Sequence, residues 1–528
     1  MPKSTMARRG RSRSRRPNPG QRLPHTPDER PVQARDQREG CPWATLPLEL
    51  REMIFGVLEA DIQAGAITAS AYASVCKSWR GYFEPLVFRR LTLTLERLNE
   101  LEARVDRRQR QFVQHICFRF ERSVRCRSTD IQFRPELDAL RFHTAMYQLF
   151  LILADWPSRD AGRPGIALEL TAFSAIDPDY SMKDTVPKEL IGVDLTVDSK
   201  PLTALYNRPP KPMRALTAEE TEESVRVRHF HRPGDVPGLS DRTLPQATLI
   251  TGLTVRRQMH VNFFTPHVGR IVGALPKLEF LTYEPRAYHT HDIMTSRASI
   301  NAIRAILTNL PRTIRRLRIF EDAPPLYDQG INPMQVSDRD GSVARFLAAI
   351  TQDRGAEAIA MSFAIDAAHF FSDFYKPQIS GPQRKLGWLN LTSLVLTSPI
   401  MTSRRCDEIP GLLTAASRAA CHMPKLEVLE LYYVAPKNGA IFTYTHDKEG
   451  STVRWKSTWA WTLPPAVISA WRETAAVHGT TKELTHKESC IFKSQVKWGG
   501  SIVSLLRTRT AVVHPITYGN MMNGLNHM

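Results

Sequence analysis

The chain has 528 residues, 42% apolar and 23% charged, with a net charge of +18 at pH 7. That apolar share supports a sizeable core, and the length allows several domains or one long solenoid with appendages. No apolar segment opens the chain, the most apolar run (Leu149 to Ala154) is too short to span a bilayer, and seven cysteines without a Cys-x-x-Cys pair argue for reduced thiols and against a disulfide framework or zinc ribbon.

Residues 1–41 read as a disordered basic tail. They are rich in Arg, Pro, Ser, Gly and Gln, and residues 1–40 hold eleven Lys/Arg against four Asp/Glu. The densest run places Arg8, Arg9, Arg11, Arg13, Arg15 and Arg16 together. Such a run suits a nuclear-import signal, a nucleic-acid-binding arm or a solvated tail with no receptor.

Residues 42–95 read as a small helical module. Leu50, Met53, Ile54, Val57 and Leu58 recur at helical spacing as one apolar stripe, which Leu46 extends one turn back. Pro47 suits a first turn, and Glu49 and Glu52 suit the positive end of the helix dipole. Tyr72, Val75, Cys76, Trp79 and Phe83 form a second stripe. Its spacing predicts one helix with Trp79 buried between the two helices and Cys76 as a buried, unreactive thiol.

Residues 96–436 read as an irregular leucine-rich-repeat-like solenoid. An apolar-x-x-apolar-x-apolar spacing begins at Phe88, Leu91, Leu93 and returns at Val113, Ile116, Phe118; Leu278, Leu281, Tyr283; Ile314, Leu317, Ile319; Leu391, Leu394, Leu396; and Leu426, Leu429, Leu431. Leu275-Pro276-Lys277, Leu310-Pro311-Arg312 and Met423-Pro424-Lys425 precede three of these, and proline there ends a helix and favours an extended start. Helical stripes lie just before: Val268, Ile271, Val272; Ile303, Ile306, Leu307; Leu412, Leu413, Ala416. Residues 358–365 supply a further apolar strand. Helix-then-strand units predict a mainly parallel sheet in which Leu281, Leu317, Leu394 and Leu429 point inward. Thr282, Arg318, Val395 and Glu430 then line an outward face, taken as the surface for a protein target. Residues 183–250, with Pro209-Pro210 and Glu219-Glu220-Thr221-Glu222-Glu223, read as a mobile insertion.

Residues 437–528 read as a β-rich cap. Ala440 to Thr445 and Thr452 to Trp459 flank Asp447-Lys448-Glu449-Gly450, a hairpin signal, and Ala466 to Val477 reads as a helix. Trp455, Trp459, Trp461 and Trp471 suit either a packed cap or an aromatic recognition surface. The fold class expected is mixed α/β.

No Walker loop, Gly-x-Gly-x-x-Gly, His-Glu-x-x-His or Gly-x-Ser-x-Gly occurs. His289 with His291 and Asp292, and His229 with His231, have ligand spacing but lack partners for a tetrahedral zinc site. No metal, cofactor or catalytic residue is assigned, and no membrane partner is expected.

Leu46-Pro47-Leu48-Glu49-Leu50, Ile54, Leu58, and Val75-Cys76-Lys77 with Trp79 resemble the F-box. The resemblance implies that Leu46, Pro47, Leu48, Glu49, Leu50, Ile54, Leu58, Val75, Cys76 and Trp79 bind a Skp-family adaptor of a cullin–RING ubiquitin ligase. The chain would then be its substrate-recognition subunit, not an enzyme, acting in the nucleus or cytoplasm. Most of residues 42–520 resemble fungal F-box proteins, through Arg107-Arg108-Gln109, Ile319-Phe320-Glu321-Asp322, Trp388 with Leu391-Thr392-Ser393-Leu394, and Ser457-Thr458-Trp459. The alternatives are a binding scaffold that uses the F-box outside a ubiquitin ligase, and a nucleic-acid-associated nuclear protein anchored by its tail.

Overall fold

The structure is a computed structural model. It describes residues 42–63, 67–174, 243–256, 265–285, 293–321, 338–376, 387–479, 482–496 and 502–519, apart from breaks at 123, 128–129, 134, 158, 160–163, 339, 353 and 436–437. The basic tail, most of the expected insertion and both histidine pairs lie outside the described residues. The chain divides into two compact units, residues 1–55 and 56–528.

The first unit ends within helix α1, Leu48–Gln63. Pro47 immediately precedes the helix, and its carbonyl accepts from Arg51 N, so the proline opens the first turn without forfeiting a bond. Phe55 is buried and packs on Trp43 at 5.0 Å between ring centroids.

In the second unit the expected second helix is two. Helix α2 is Ala69–Ala73 and α3 is Lys77–Phe88, with Ser74, Val75 and Cys76 between them. Ser74 Oγ bonds back to Ala71 O at 2.7 Å, which gives the chain an alternative to continuing the helix. Cys76 is therefore the N-cap of α3 and is exposed, against the expectation of a buried thiol. Trp79 is half-buried rather than enclosed, its ring tilted against Tyr72 (5.9 Å) and the fully buried Phe83 (5.8 Å).

Strand β1 (Arg90–Leu93), α4 (Leu95–Arg104), α5 (Arg107–Arg110) and β2 (His115–Arg122) follow. The two-stranded ribbon β3 (Val124–Arg127) and β4 (Asp130–Phe133) stands apart as a second sheet. Next come α6 (Pro135–Asp155), β5 (Ile166–Ser174), β6 (Ile250–Val255), α7 (Thr265–Gly273), β7 (Phe280–Tyr283), α8 (Ile293–Asn309) and β8 (Arg316–Phe320). Then α9 (Ser342–Gln352), β9 (Ala358–Ser362), α10 (Ala367–Phe370), β10 (Ser393–Thr397), α11 (Ile409–Ala420) and β11 (Val428–Ala435) complete the helix–strand alternation. The hairpin β12 (Asn438–Asp447) and β13 (Gly450–Ser457), then α12 (Pro465–Val477), β14 (Thr485–Cys490) and the short α13 (Arg509–Val512) close the chain.

Twelve strands form one sheet in the order β1-β2-β5-β6-β7-β8-β9-β10-β11-β12-β13-β14. Every neighbouring pair is parallel except β11 with β12 and β12 with β13. One register row runs from strand to strand through Leu91, Ile116, Leu168, Leu253, Leu281 and Leu317, then Ile359, Leu394, Leu429, Tyr444 and Val453. From Ile116 to Val453 these side chains are buried. Each contributes about 1.5–3 kcal/mol of transfer free energy. The same tight turn precedes four of the strands: Leu278 N to Leu275 O, Ile314 N to Pro311 O, Leu391 N to Trp388 O, and Leu426 N to Met423 O. Neighbouring helices pack side by side, α4 with α6, α7 with α8, α8 with α9, and α11 with α12.

The tryptophans at the chain's end pack rather than face solvent as a group. Trp455 and Trp471 are fully buried. Trp455 lies 4.5 Å from Trp461, and Trp471 lies 4.7 Å from Tyr444 and 5.1 Å from Phe442.

Candidate functional site

Two surfaces were singled out by the residues, and the structure treats them oppositely. In the first unit α1 turns its apolar stripe outward. Met53 is 67% exposed, and Leu50 and Ile54 are also exposed; Leu48, outside the stripe, is 58% exposed. Pro47 and Glu49 are exposed and Leu46 is half-buried. An amphipathic helix ordinarily spends such a stripe on its own core. Here Phe55, on the other side of the helix, serves that role.

In the second unit the remainder of α1 exposes Val57 (65%) and half-buries Leu58. Val75 is 59% exposed and Ile67 is exposed as well. Large exposed apolar side chains, where they form a patch, mark surfaces that bind other macromolecules.

The outward row of the sheet runs Glu169–Thr254–Thr282–Arg318–Ala360–Val395–Glu430–Thr443–Arg454–Lys487. Thr282, Arg318, Val395 and Glu430 do share one face of one sheet. The face is not open over its middle, because residues 502–519 of the same chain lie on it. Val395 and Glu430 are fully buried. Glu430 Oε1 accepts from Thr443 Oγ1 (2.9 Å) and Arg507 N (3.1 Å), and Oε2 accepts from Thr508 N (2.9 Å) and the Thr508 hydroxyl. Arg318 donates to the carbonyls of Ala511 (2.9 Å) and Thr510 (2.5 Å). Glu284, just past β7, accepts from His514 N (2.6 Å) and the Thr517 hydroxyl. These acceptors and donors match main-chain groups of a polypeptide, and this chain supplies that polypeptide itself. Arg318 and Glu430 are thus seats for the C-terminal segment and Val395 is buried, which corrects the assignment of these three as a free target surface; Thr282 is half-buried.

A buried ion cluster extends the same face toward β1. Glu169 binds the Arg256 guanidinium, accepts from His115 Nε2 at 3.1 Å and lies 3.8 Å from Arg90. Burial pushes the Glu169 carboxyl upward, but Arg256, helped by His115 and Arg90, more than offsets this and holds it well below the ordinary carboxylate range. His514 is held well below the usual histidine value by burial and then by Arg256, so it sits in the fold as neutral imidazole.

A pocket of about 380 Å³ lies among Leu86, Arg89, Gln111, Phe112 and Arg159. Its guanidinium groups are spent internally: Arg89 on Gln114 Oε1 at 2.8 Å, Arg159 on the carbonyls of Pro164 and Val113. Among the described residues no group of three or more His, Cys, Asp or Glu could hold a metal ion, and no helix is long and apolar enough to cross a membrane.

Residues 309–514 match the model of a family of unknown function, DUF6546. The matched stretch runs from the end of α8 to His514, so it takes in both the sheet from β8 onward and most of the segment that covers it. No curated protein and no solved structure matches the chain.

Proposed function

We propose that the chain is a non-catalytic docking subunit that resembles F-box proteins. Leu46, Pro47, Leu48, Glu49, Leu50, Ile54, Leu58, Val75, Cys76 and Trp79 bind the Skp-family adaptor, and the repeating helix–strand units form an irregular leucine-rich-repeat-like solenoid that holds a protein target for a cullin–RING ubiquitin ligase. The observation that carries this reading is the outward apolar stripe of α1, whose Met53 and Val57 are more than half exposed and whose Leu50 and Ile54 are exposed too, although the spacing is that of a core-facing helix. Catalysis in this reading comes from proximity: target and ubiquitin carrier are held at high effective concentration, and this chain makes or breaks no bond.

The test is affinity purification of the full chain beside Leu46→Ala with Pro47→Ala. The parent retains adaptor and cullin, and the double variant loses both while keeping its melting temperature. Adaptor without cullin would favour the scaffold alternative. Undiminished adaptor in the double variant would refute the docking assignment.

A further inference from the structure

The sheet's last strand offers a second docking surface, and its chemistry is unlike that of α1. Strand β14 has β13 on one side and, among the described residues, no strand on the other, and all six of its residues are exposed. It pairs in parallel with β13, with Arg454 opposite Lys487 and Lys456 opposite Ser489. Ile491 N donates to Ser457 O at 2.8 Å. The alternation of a parallel ladder then directs the main-chain N–H and C=O of His486, Glu488 and Cys490 away from β13, toward the open side.

The charge on this end of the sheet is unbalanced. Arg454 and Lys487 sit directly across from each other on one face, an arrangement that costs stability through like-charge repulsion. Lys456 lies two residues along on the same face. None of the three makes a salt bridge among the described residues. The nearest carboxylate in the row, Glu430, is occupied by Thr443 and by the C-terminal segment. Lysine on an edge strand is a common guard against edge-to-edge aggregation. That role accounts for Lys487 and leaves Arg454 and Lys456, one strand in, unexplained.

We propose that the β14 edge and the Arg454–Lys456–Lys487 face together bind an extended acidic peptide, which adds as a further strand and sets its carboxylates against the three cations. The ladder supplies main-chain bonds, and the charge selects the partner. The C-terminal segment has already filled the middle of this sheet face, so a protein target is received at its end. The inference rests on sheet geometry and holds whether or not α1 binds an adaptor.

Fluorescence anisotropy with the full chain tests it, using a labelled decapeptide that alternates Glu with Val, its Lys-for-Glu counterpart, and a ten-nucleotide oligo-dT. The acidic peptide binds and the basic one does not. Arg454→Glu/Lys456→Glu/Lys487→Glu weakens acidic-peptide binding by about tenfold or more and leaves the melting temperature unchanged, because one like-charge pair at 454 and 487 replaces another. His486→Pro removes one outward N–H without touching a β13 bond, a position where an edge strand tolerates proline, and lowers affinity with the charge intact. Should His486→Pro fail to fold, the triple variant still decides the charge claim. Equal binding of both peptides, parent-level affinity in the triple variant or in a folded His486→Pro, or binding of oligo-dT in place of the peptide overturns the proposal.

Discussion

The α1 stripe and the middle of the sheet's outward face make an instructive pair. Both were legible as surfaces because their residues recur with the right period. In α1 the apolar residues stay exposed, and in the sheet the charged residue Glu430 is buried. Periodicity says which side chains share a face; it does not say what lies on that face. For a sheet face any distant segment can fill it, and here the partners of Glu430 lie 77 and 78 residues away and those of Glu284 as far as 233.

The comparison is broken most forcefully by ending the chain at Ser501. The truncation uncovers Val395, Glu430 and Glu284 and removes Ile502, Val503, Leu506, Val512 and Val513, all buried. At about 1.5–3 kcal/mol for each apolar side chain, the loss is roughly 8–15 kcal/mol, comparable to the whole stability of a domain. The expected outcome is loss of the cooperative thermal transition. A truncated chain that folds normally would make the segment a removable cover and reopen the sheet face as a binding surface. A point change gives a smaller version of the same test. Glu430→Ala strands the amides of Arg507 and Thr508 and should cost about 1–3 kcal/mol for each buried group left unsatisfied, read by denaturant titration.

Acid should distinguish the two regions next. His514 is neutral in the fold, while the unfolded chain takes up a proton near 6.5, so its contribution is fully present above 6.5 and is lost as pH falls below that value. His267, pushed down to about 4 chiefly by burial and also by Arg270, acts with the same sign between 6.5 and about 4. Glu169 adds its loss later, as pH falls below 4.5 toward its depressed folded value. Stability measured at pH 7.5 and 5.5 should therefore fall at up to about 1.4 kcal/mol per pH unit for each such histidine. His514→Asn, whose side-chain oxygen can replace the Nδ1 acceptor used by Ile516 N, should flatten part of the slope. An unchanged slope would mean that the C-terminal segment is not the acid-sensitive part.

How far these features could be read in advance follows from the distance over which each is encoded. Strands β1, β2, β7, β8, β10 and β11 carry their apolar spacing within six residues, and each lies where that spacing is. Strand β6 carries it too, as Ile250, Leu253 and Val255, but its first residue falls in the proline-rich, acidic stretch that reads as an insertion. Strand β5 was hidden by a substitution: Gly165 holds the first apolar position, and a Cβ there would collide with the Thr251 side chain. The break between α2 and α3 escaped because Val75 and Cys76 keep helical spacing even where the chain leaves the helix. Nothing local announces the 502–519 segment, whose short turns have no period, and the pairing of Glu169 with Arg256 joins residues 87 apart.

The smallest expected effect on stability belongs to α1, and it sharpens the contrast most. Phe55 and Met53 are two residues apart on one helix, one buried against Trp43 and the other exposed. Phe55→Ala should cost up to about 3–5 kcal/mol through the cavity it leaves. Leu50→Ala with Met53→Ala should change stability by no more than about 0.5 kcal/mol, because those side chains are already in water. Under the docking assignment the same double variant nevertheless fails to capture the adaptor. Thermal melts and adaptor pull-downs on one set of preparations separate the two quantities. A fall of several degrees in the double variant would show that the stripe is buried in solution by the chain itself, and α1 would then resemble the covered sheet face.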